Sequence, residues 1–240
     1  MGLILLAISA FFYILHYLIF RDSHHIFIYL IGDIAFVFID VLLVTLIIES
    51  LLEDRDKKLR RDKLNMVIGA FFSEVGATLL EILSRLDQGL DEKQNDFMGD
   101  TGLSPAQIFS RVARTLSEHR LSVDVKKVEW EKLRIFLVDR RSFMLGLLEN
   151  QNLLEHESFT DTLWAVFHLT EELNARKGFD GLPETDYQHL SGDANRVYGL
   201  LAGQWLDYMG HLRDNYPYLF SLALRMNPFN RNASPVVKAA

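Results

Sequence analysis

Two aspartates lie inside a long apolar segment, where acidic side chains are uncommon. Asp33 and Asp40 are the only Asp, Glu, Lys or Arg residues of the run 26–48. Their spacing of seven residues places both carboxyl groups on one face of a helix, about 10.5 Å apart along its axis. A carboxylate in hydrocarbon costs at least ~2.5–3.5 kcal/mol and usually faces protein or water. The pair therefore predicts contacts between membrane helices, a path for ions or protons, or a helix shifted so that both acids reach water.

The preceding apolar run, residues 3–20, contains polar side chains that match these acids in depth. Aligning the centres of the two runs brings His16 near the level of Asp33, which predicts a hydrogen bond between them. Ser9 then lies near the level of Asp40 and is its expected partner. Two helices cannot enclose a pore and no TVGYG-type selectivity motif is present, so an ion path would need several copies of the chain.

Histidines and acids also recur at helical spacing in the second half of the chain. Three groups share a helix face: His168 with Glu171 and Glu172, Asp186 with His189 and Asp193, and Asp207 with His211. Helix bundles build metal sites from such residues on facing helices. However, neither paired Glu-x-x-His motifs nor HExxH occurs in this sequence. We interpret the groups as solvated His–acid pairs and predict no metal site, no cofactor and no catalytic residue. A helix-bundle metalloenzyme is the third functional alternative.

The overall composition excludes several classes of protein. The chain has 240 residues, of which 49% are hydrophobic and 24% charged, with a formal net charge of −7. These values exclude a disordered chain and a strongly basic nucleic-acid-binding protein. The absence of cysteine excludes disulfides, thiolate catalysis and cysteine-ligated metal centres. P-loop, GxGxxG and GxSxG motifs are also absent, so we do not expect an enzyme.

Two apolar runs near the N-terminus reach the length of a membrane span. Residues 3–20 form 18 positions without a formal charge, and residues 26–48 form 23 positions, about 34 Å as a helix. The short link between them predicts an antiparallel hairpin. No basic stretch precedes the first run, which favours a retained membrane helix over a signal peptide. We disfavour a hydrophobic hairpin buried within a soluble protein, because both runs reach spanning length.

A basic cluster follows the second apolar run and orients the hairpin. Basic residues are retained on the cytoplasmic side of membranes, so both termini are expected there, in the inner or cell membrane if the chain is prokaryotic. The same side chains are expected to contact lipid headgroups: Arg55, Lys57, Lys58, Arg60, Arg61 and Lys63. Acids lie four residues before several of them, as with Glu53 and Lys57, which is typical of a solvated helix. Residues 51–64 are therefore predicted to form a charged helical neck.

The rest of the sequence predicts further helices. We assign residues 65–227 to a cytoplasmic helical domain and residues 228–240 to a C-terminal tail that is extended or disordered. Ser104 and Gln107 have the spacing of a capping box and predict the start of a helix. The segment 87–103 before this start is rich in Gly, Asp, Gln and Asn and is predicted to be a loop.

Small residues line one face of two predicted helices. They are Gly69, Ser73, Gly76 and Ala77 in the first helix, and Gly192, Gly199, Gly203 and Gly210 in the second. An interior glycine costs a helix roughly 1 kcal/mol relative to alanine, so a row of glycines implies that another backbone or a flat ligand approaches closely. We predict close helix packing at both faces.

Together these patterns predict an all-α fold, because no strand-like alternation and no fixed-period repeat is present. We expect a two-helix transmembrane hairpin at residues 1–50, followed by the long helical neck and a cytoplasmic helical bundle. The expected function is that of a membrane-anchored, self-associating structural or scaffold protein, a homo-oligomer in the lipid bilayer with no nucleic-acid partner. The alternative is a homo-oligomeric ion channel or ion-coupled transporter lined by Asp33 and Asp40.

Overall fold

The computed structural model describes residues 2–98, 102–150, 153 and 156–237, without the side chains of His25, Lys58, Arg60, Arg61 and Val125. All regular structure in these residues is helical, which confirms the all-α prediction. The α-helices are α1 (Gly2–Phe20), α2 (Ser23–Phe71), α3 (Ala77–Arg85), α4 (Gln94–Phe97), α5 (Pro105–Glu118), α6 (Trp130–Asp139), α7 (Arg141–Leu148), α8 (Glu157–Ala175), α9 (Glu184–Asn215) and α10 (Pro217–Arg225). The chain divides into two compact units, Met1–Leu59 and Arg60–Ala240.

In the first unit, a link of two residues joins α1 to α2. Arg21 adopts a φ of 50°, the left-handed conformation in which many helices end. Its amide donates to the Tyr17 carbonyl at 2.8 Å and so completes the last turn of α1. Tyr13 Oη donates to Asp33 Oδ2 at 3.5 Å, across the two helices. α1 and the beginning of α2 therefore lie beside each other as a hairpin.

Apolar side chains on the surface characterise this first unit. By length and composition, both helices could cross a membrane. The most apolar 18-residue stretch of each helix is 0% buried. Leu3, Phe38 and Leu51, for example, are 84%, 74% and 65% exposed. The hairpin therefore presents to its surroundings the type of side chain that globular proteins bury.

α2 continues without a break from the second apolar run through residues 51–64, as the absence of proline and glycine there predicts. Lys57 Nζ lies 3.3 Å from Glu53 Oε2, which confirms the i,i+4 pairing expected for a solvated helix. After Phe71 the helix widens into a π-helical turn at Phe72–Gly76 and then leads into α3.

α9 is the central helix of the second unit. It packs along α8 and also contacts α3, α5 and α10. Buried apolar side chains at i, i+3 and i+4 spacing form one face of each of the two main helices: Leu163, Val166, Leu169 and Leu173 in α8, and Leu190, Ala194, Val197 and Leu201 in α9. Phe71 packs edge-on against Phe159 with ring centroids 5.3 Å apart, and Phe72 stacks on Tyr208 at 5.4 Å. The second unit is therefore a helical bundle built around α9.

Local sequence signals predict the start of α5 but not the segment before it. Ser104 Oγ accepts from Gln107 N at 3.3 Å, and Gln107 Oε1 accepts from Ser104 N at 2.8 Å, which confirms the capping box. The prediction of a loop at 87–103 is wrong in part, because this segment contains the 3-10 turn Gln88–Leu90 and α4. The side chains of Leu90 and Phe97 are buried, which favours helical turns there.

The beginning of the C-terminal tail is packed rather than extended. Phe229 is fully buried, and its ring lies 5.5 Å from Trp205 and 5.8 Å from Phe97. Arg231 Nη2 donates to the Ser84 carbonyl at 2.8 Å and to Asp91 Oδ1 at 3.0 Å. The expectation of an extended or disordered tail is therefore corrected at its beginning, because burial of a large aromatic ring outweighs the entropy of a free chain end. Residues 238–240 of the predicted tail lie outside the described residues.

Candidate functional site

Four polar side chains of α8 and α9 meet where the two helices pack. α8 contributes His168 and Glu172, and α9 contributes His189 and Asp193. Each pair is four residues apart, so both members lie on one helix face, and the packing of α8 on α9 brings the two faces together. Two groups that appear separate in the sequence therefore form one cluster, which we call the α8–α9 His–acid cluster.

Asp193 is the centre of this cluster. Its Oδ2 atom lies 3.4 Å from His168 Nε2 and 3.3 Å from His189 Nε2. The Asp193 side chain is 4% exposed, whereas the two histidine side chains are 46% and 51% exposed. Asp193 Oδ2 is buried and makes no hydrogen bond within the described part of the chain. The prediction of solvated His–acid pairs is therefore wrong for Asp193, which lies between the buried Leu190 and Val197 on the core side of α9.

Arg176 forms hydrogen bonds with two acidic side chains, Glu172 of the cluster and the neighbouring Asp186. Arg176 Nε and Nη2 donate to the two carboxylate oxygens of Asp186 at 3.0 and 2.8 Å, and Nη1 donates to Glu172 Oε2 at 2.7 Å. These hydrogen bonds hold the pKa of Glu172 and of Asp186 below their ordinary values, and the bond to Asp186 raises the pKa of Arg176. Glu172 is also 3.6 Å from His189 Nε2, so the cluster carries ionised carboxylates beside two imidazoles.

Other predicted His–acid groups are not assembled in this way. Glu171 pairs with Arg141, whose Nε lies 2.6 Å from Glu171 Oε1. His211 Nδ1 lies 3.1 Å from the Asn65 amide nitrogen, and Asp207 is exposed. The donor set of two imidazole nitrogens and a carboxylate oxygen is therefore found at the α8–α9 cluster, where the three ligand atoms lie within 4.8 Å of one another. Such a set can bind a divalent metal ion.

The four polar residues predicted for the apolar hairpin occupy α1 and α2 as expected, but their described contacts differ from the prediction. Asp33 and Asp40 are exposed, and Asp33 accepts its hydrogen bond from Tyr13. The ring of His16 lies 4.8 Å from that of Phe20. Ser9 and Asp40 are not joined by a hydrogen bond among the residues that the structure describes. The sequence-based prediction did not include Tyr13 as a partner of Asp33. Its position three residues before His16 nevertheless places it on the same helix face.

Of the six basic residues predicted to contact lipid headgroups, Arg55, Lys57 and Lys63 are exposed. The side chains of the other three, Lys58, Arg60 and Arg61, lie outside the described residues. The exposed neck side chains are therefore free of the core and able to reach a charged surface.

The two faces of small residues differ in their surroundings. A Cβ at Gly69 would lie 2.9 Å from Tyr208 Oη, so the Tyr208 side chain of α9 packs against α2 there. Ser73 and Ala77 line an adjacent apolar groove. A Cβ at Gly76 would meet the Phe72 and Phe71 rings at 2.7 and 2.8 Å. Gly69 and Gly76 are therefore tightly packed, whereas Ser73 and Ala77 border an open groove.

The glycine face of α9 is open instead. No described atom lies within 4 Å of a Cβ placed at any of its four glycines: Gly192, Gly199, Gly203 and Gly210. Contrary to the prediction of close helix packing, these residues do not bring another described helix of the same chain near. Gly192, Gly199 and Gly203 are exposed, and Gly210 is partly exposed.

A partly buried His–Asp pair, which the sequence did not indicate, connects the segments on either side of α5. His119 Nε2 lies 2.9 Å from Asp87 Oδ2, which also accepts the Ser122 amide at 3.2 Å. Asp87 is 2% exposed and lies beside Tyr198, and burial raises the pKa of the Tyr198 hydroxyl. Asp87 falls in the segment predicted as a loop, and its partner is 32 positions away, so no local pattern indicates the pair.

Comparisons with known proteins identify a family. The family described as the C-terminal helical domain of the uncharacterized protein MJ1433 matches residues 60–225, and the one described as the MJ1433 N-terminal helical domain matches residues 1–52. The chain is 43% identical over 229 residues to the uncharacterized protein MJ1433 of Methanocaldococcus jannaschii, covering 95% of this chain and 92% of that protein. No solved structure matches the chain. With both helical domains matched and most of each chain aligned, this protein belongs to the MJ1433 family.

Proposed function

We propose that this chain is a membrane-anchored, self-associating structural protein, in which α1 and the first part of α2 insert into a bilayer as a hairpin. The observation that carries the proposal is the exposure of the apolar side chains of both helices, since no described side chain between residues 2 and 52 is buried. Monomeric soluble proteins rarely expose contiguous apolar patches larger than a few hundred Å². The 19 residues of α1 give a helix about 28 Å long, close to the ~30 Å of a hydrocarbon core.

The neck supports an orientation for this hairpin. Arg55, Lys57 and Lys63 are exposed at the end of the apolar part of α2, and basic residues beside a span are retained in the cytoplasm. The partner acid of Lys57, Glu53, weakens attraction to anionic lipids more than it weakens the orientation. The helical domain at residues 65–227 would then lie in the cytoplasm.

The two acids in the apolar part of α2 support self-association. Asp33 has Tyr13 as a hydrogen-bond donor, whereas no described hydrogen bond or ion pair involves Asp40. A carboxyl group in hydrocarbon is costly without a polar partner, and one hairpin supplies few of them. A second copy of the hairpin would provide donors at the same depth, so contact between copies satisfies both acids.

An ion path is the second candidate, and the same carboxylates support it. Asp33 and Asp40 are both exposed and lie seven residues apart on one face of α2, an arrangement that can line a path between copies of the chain. A channel or ion-coupled transporter needs a water-filled lumen between hairpins, whereas a scaffold needs only contact between them.

Membrane insertion can be tested by labelling, because the chain contains no cysteine of its own. We would introduce Ser23→Cys at the link between α1 and α2, and Ser117→Cys in α5, as a matched pair of exposed serines in the full chain. A membrane-impermeant maleimide should label Ser23→Cys on intact cells but Ser117→Cys only after permeabilisation. The chain should also stay in the membrane pellet after alkaline carbonate extraction.

Other outcomes would reject the proposal. Release of the chain by carbonate would show that the exposed apolar helices do not span a bilayer. Labelling of Ser117→Cys alone on intact cells would place the helical domain outside, and equal labelling of both variants in unopened cells would exclude a hairpin with two sides.

A further inference from the structure

We propose that the α8–α9 His–acid cluster is a binding site for a divalent transition-metal ion of the zinc class. The ligands are His168 Nε2, His189 Nε2 and Asp193 Oδ2, and a fourth position is open to solvent. This inference is independent of the membrane anchor, because all three ligands belong to α8 and α9 of the second unit.

The chemistry of the donors favours this class of ion. Imidazole nitrogen binds zinc and its first-row neighbours, whereas Ca²⁺ and Mg²⁺ prefer sites built from oxygen atoms. Two imidazoles with one carboxylate, leaving a coordination position free, form a set that proteins use for Zn²⁺ and for iron(II). The absence of cysteine leaves histidine and carboxylate as the side chains by which this chain would bind such ions.

The spacing of the ligand atoms fits a coordination sphere. Metal–ligand bonds of 2.0–2.1 Å in a tetrahedral site place the ligand atoms about 3.3–3.4 Å apart. Asp193 Oδ2 lies 3.4 Å from His168 Nε2 and 3.3 Å from His189 Nε2. All three atoms lie within 4.8 Å of one another, so a modest rotation of the two half-exposed imidazoles completes the set.

The state of Asp193 points to a ligand independently of the residue types. Its side chain is 4% exposed, yet its Oδ2 atom makes no hydrogen bond to any described group. Leaving a buried carboxylate oxygen without a hydrogen bond costs more than losing an ordinary hydrogen bond. A cation between the imidazoles would remove this cost, and both histidines already face the same oxygen atom.

Neighbouring charges support three ligands rather than four. Arg176 holds Glu172 through its Oε2 atom at 2.7 Å, so Glu172 acts as a neighbour of the histidines and not as a ligand. Arg196 Nη1 lies 3.8 Å from Asp193 Oδ1, whereas the two histidine contacts are to Oδ2. Such outer partners orient a ligating carboxylate and leave its other oxygen for the metal.

The test is metal binding by the full chain in detergent, purified without a polyhistidine tag and stripped with a chelator. Titration calorimetry with Zn²⁺ should give one site per chain, and Co²⁺ should produce visible absorption bands of a low-coordinate complex. His189→Gln should weaken Zn²⁺ binding at least about tenfold, and the double variant His168→Gln/His189→Gln should abolish it. The matched control is His211→Gln on the same helix, which should bind like the parent.

Two outcomes would overturn the site: a parent chain that binds no stoichiometric Zn²⁺, or a double variant that binds it as tightly as the parent. Far-UV circular dichroism checks that each variant is folded. If the double variant unfolds, His168→Gln alone decides, because the half-exposed His168 can be replaced without opening the core. Unchanged binding by that folded variant would then reject the proposal.

Discussion

Asp40 and Asp193 are both aspartates, but their side chains differ in exposure and in surroundings. Asp40 is exposed in the apolar part of α2, and Asp193 is buried beside two imidazoles. Among the described residues, the side chain of Asp40 has no hydrogen bond, and the buried Oδ2 atom of Asp193 has none either. For Asp40 in the proposed membrane hairpin we infer a second copy of the chain as the partner, and for the buried Asp193 we infer a metal ion.

Two substitutions of Asp40 separate helix association from an ion path. Asn keeps the hydrogen-bonding groups but removes the charge, whereas Leu removes both. Asp40→Leu should therefore reduce the oligomer to smaller species in detergent, as measured by size-exclusion chromatography with light scattering. Asp40→Asn should retain the oligomer of the parent chain.

The same variants decide between the two candidate functions. If the oligomer is a scaffold, liposomes containing the parent chain should show no ion flux above that of empty liposomes. A flux that Asp40→Asn abolishes while the oligomer persists would favour the channel alternative instead. Asp54→Leu, in the solvated neck, is the control and should change neither measurement. An Asp40→Leu oligomer of unchanged size would contradict association through this acid.

At the scale of single helices, glycine has two different roles. Gly76 lies in the π turn between α2 and α3, against phenyl rings of the core, and leaves no room for a methyl group. Gly203 lies inside α9 on an open face, where a methyl group would meet no described atom within 4 Å. The same residue type therefore marks tight packing in one helix and an unoccupied surface in the other.

Alanine at these two positions should have opposite effects on stability. Gly203→Ala should raise the free energy of unfolding by about 0.5–1 kcal/mol, because it lowers the entropy of the unfolded chain without a clash. Gly76→Ala should lower it by about 1–3 kcal/mol through overpacking against Phe71 and Phe72. Urea unfolding in detergent, followed by circular dichroism, measures both. A destabilised or dissociated Gly203→Ala protein would show that the glycine face packs against another molecule.

At the scale of the whole molecule, the boundary between the two units cuts through α2. The last turns of this helix contribute Leu64, Ile68 and Phe71 to the buried core of the second unit. The family match to the C-terminal helical domain likewise begins at residue 60, within α2. The core of the helical domain therefore includes the end of α2, although the beginning of the same helix is apolar and exposed.

Two fragments test this dependence. A fragment of residues 60–240 should stay in solution without detergent, be strongly helical and unfold in one cooperative transition. A fragment of residues 77–240 lacks Phe71 and Phe72, whose burial stabilises the core by roughly 1.5–3 kcal/mol each, and should be markedly less stable. Thermal unfolding of the two fragments makes the comparison. Equal stability, or a longer fragment that is insoluble, would contradict the division into units.

The sequence by itself determined the helical class of this protein, the two apolar runs, the continuity of α2 and the capping box at Ser104. Each of these depends on residues within a few turns of one another, whose spacing is visible in one dimension. Only the tertiary structure decided that Asp193 is buried, that His168 meets His189 and that Phe229 belongs to the core. These contacts depend on which faces of distant helices touch, and amphipathic patterns alone do not specify that pairing. The sequence therefore indicates the His–acid pair of α8 and that of α9 separately, but it does not indicate that they form one site.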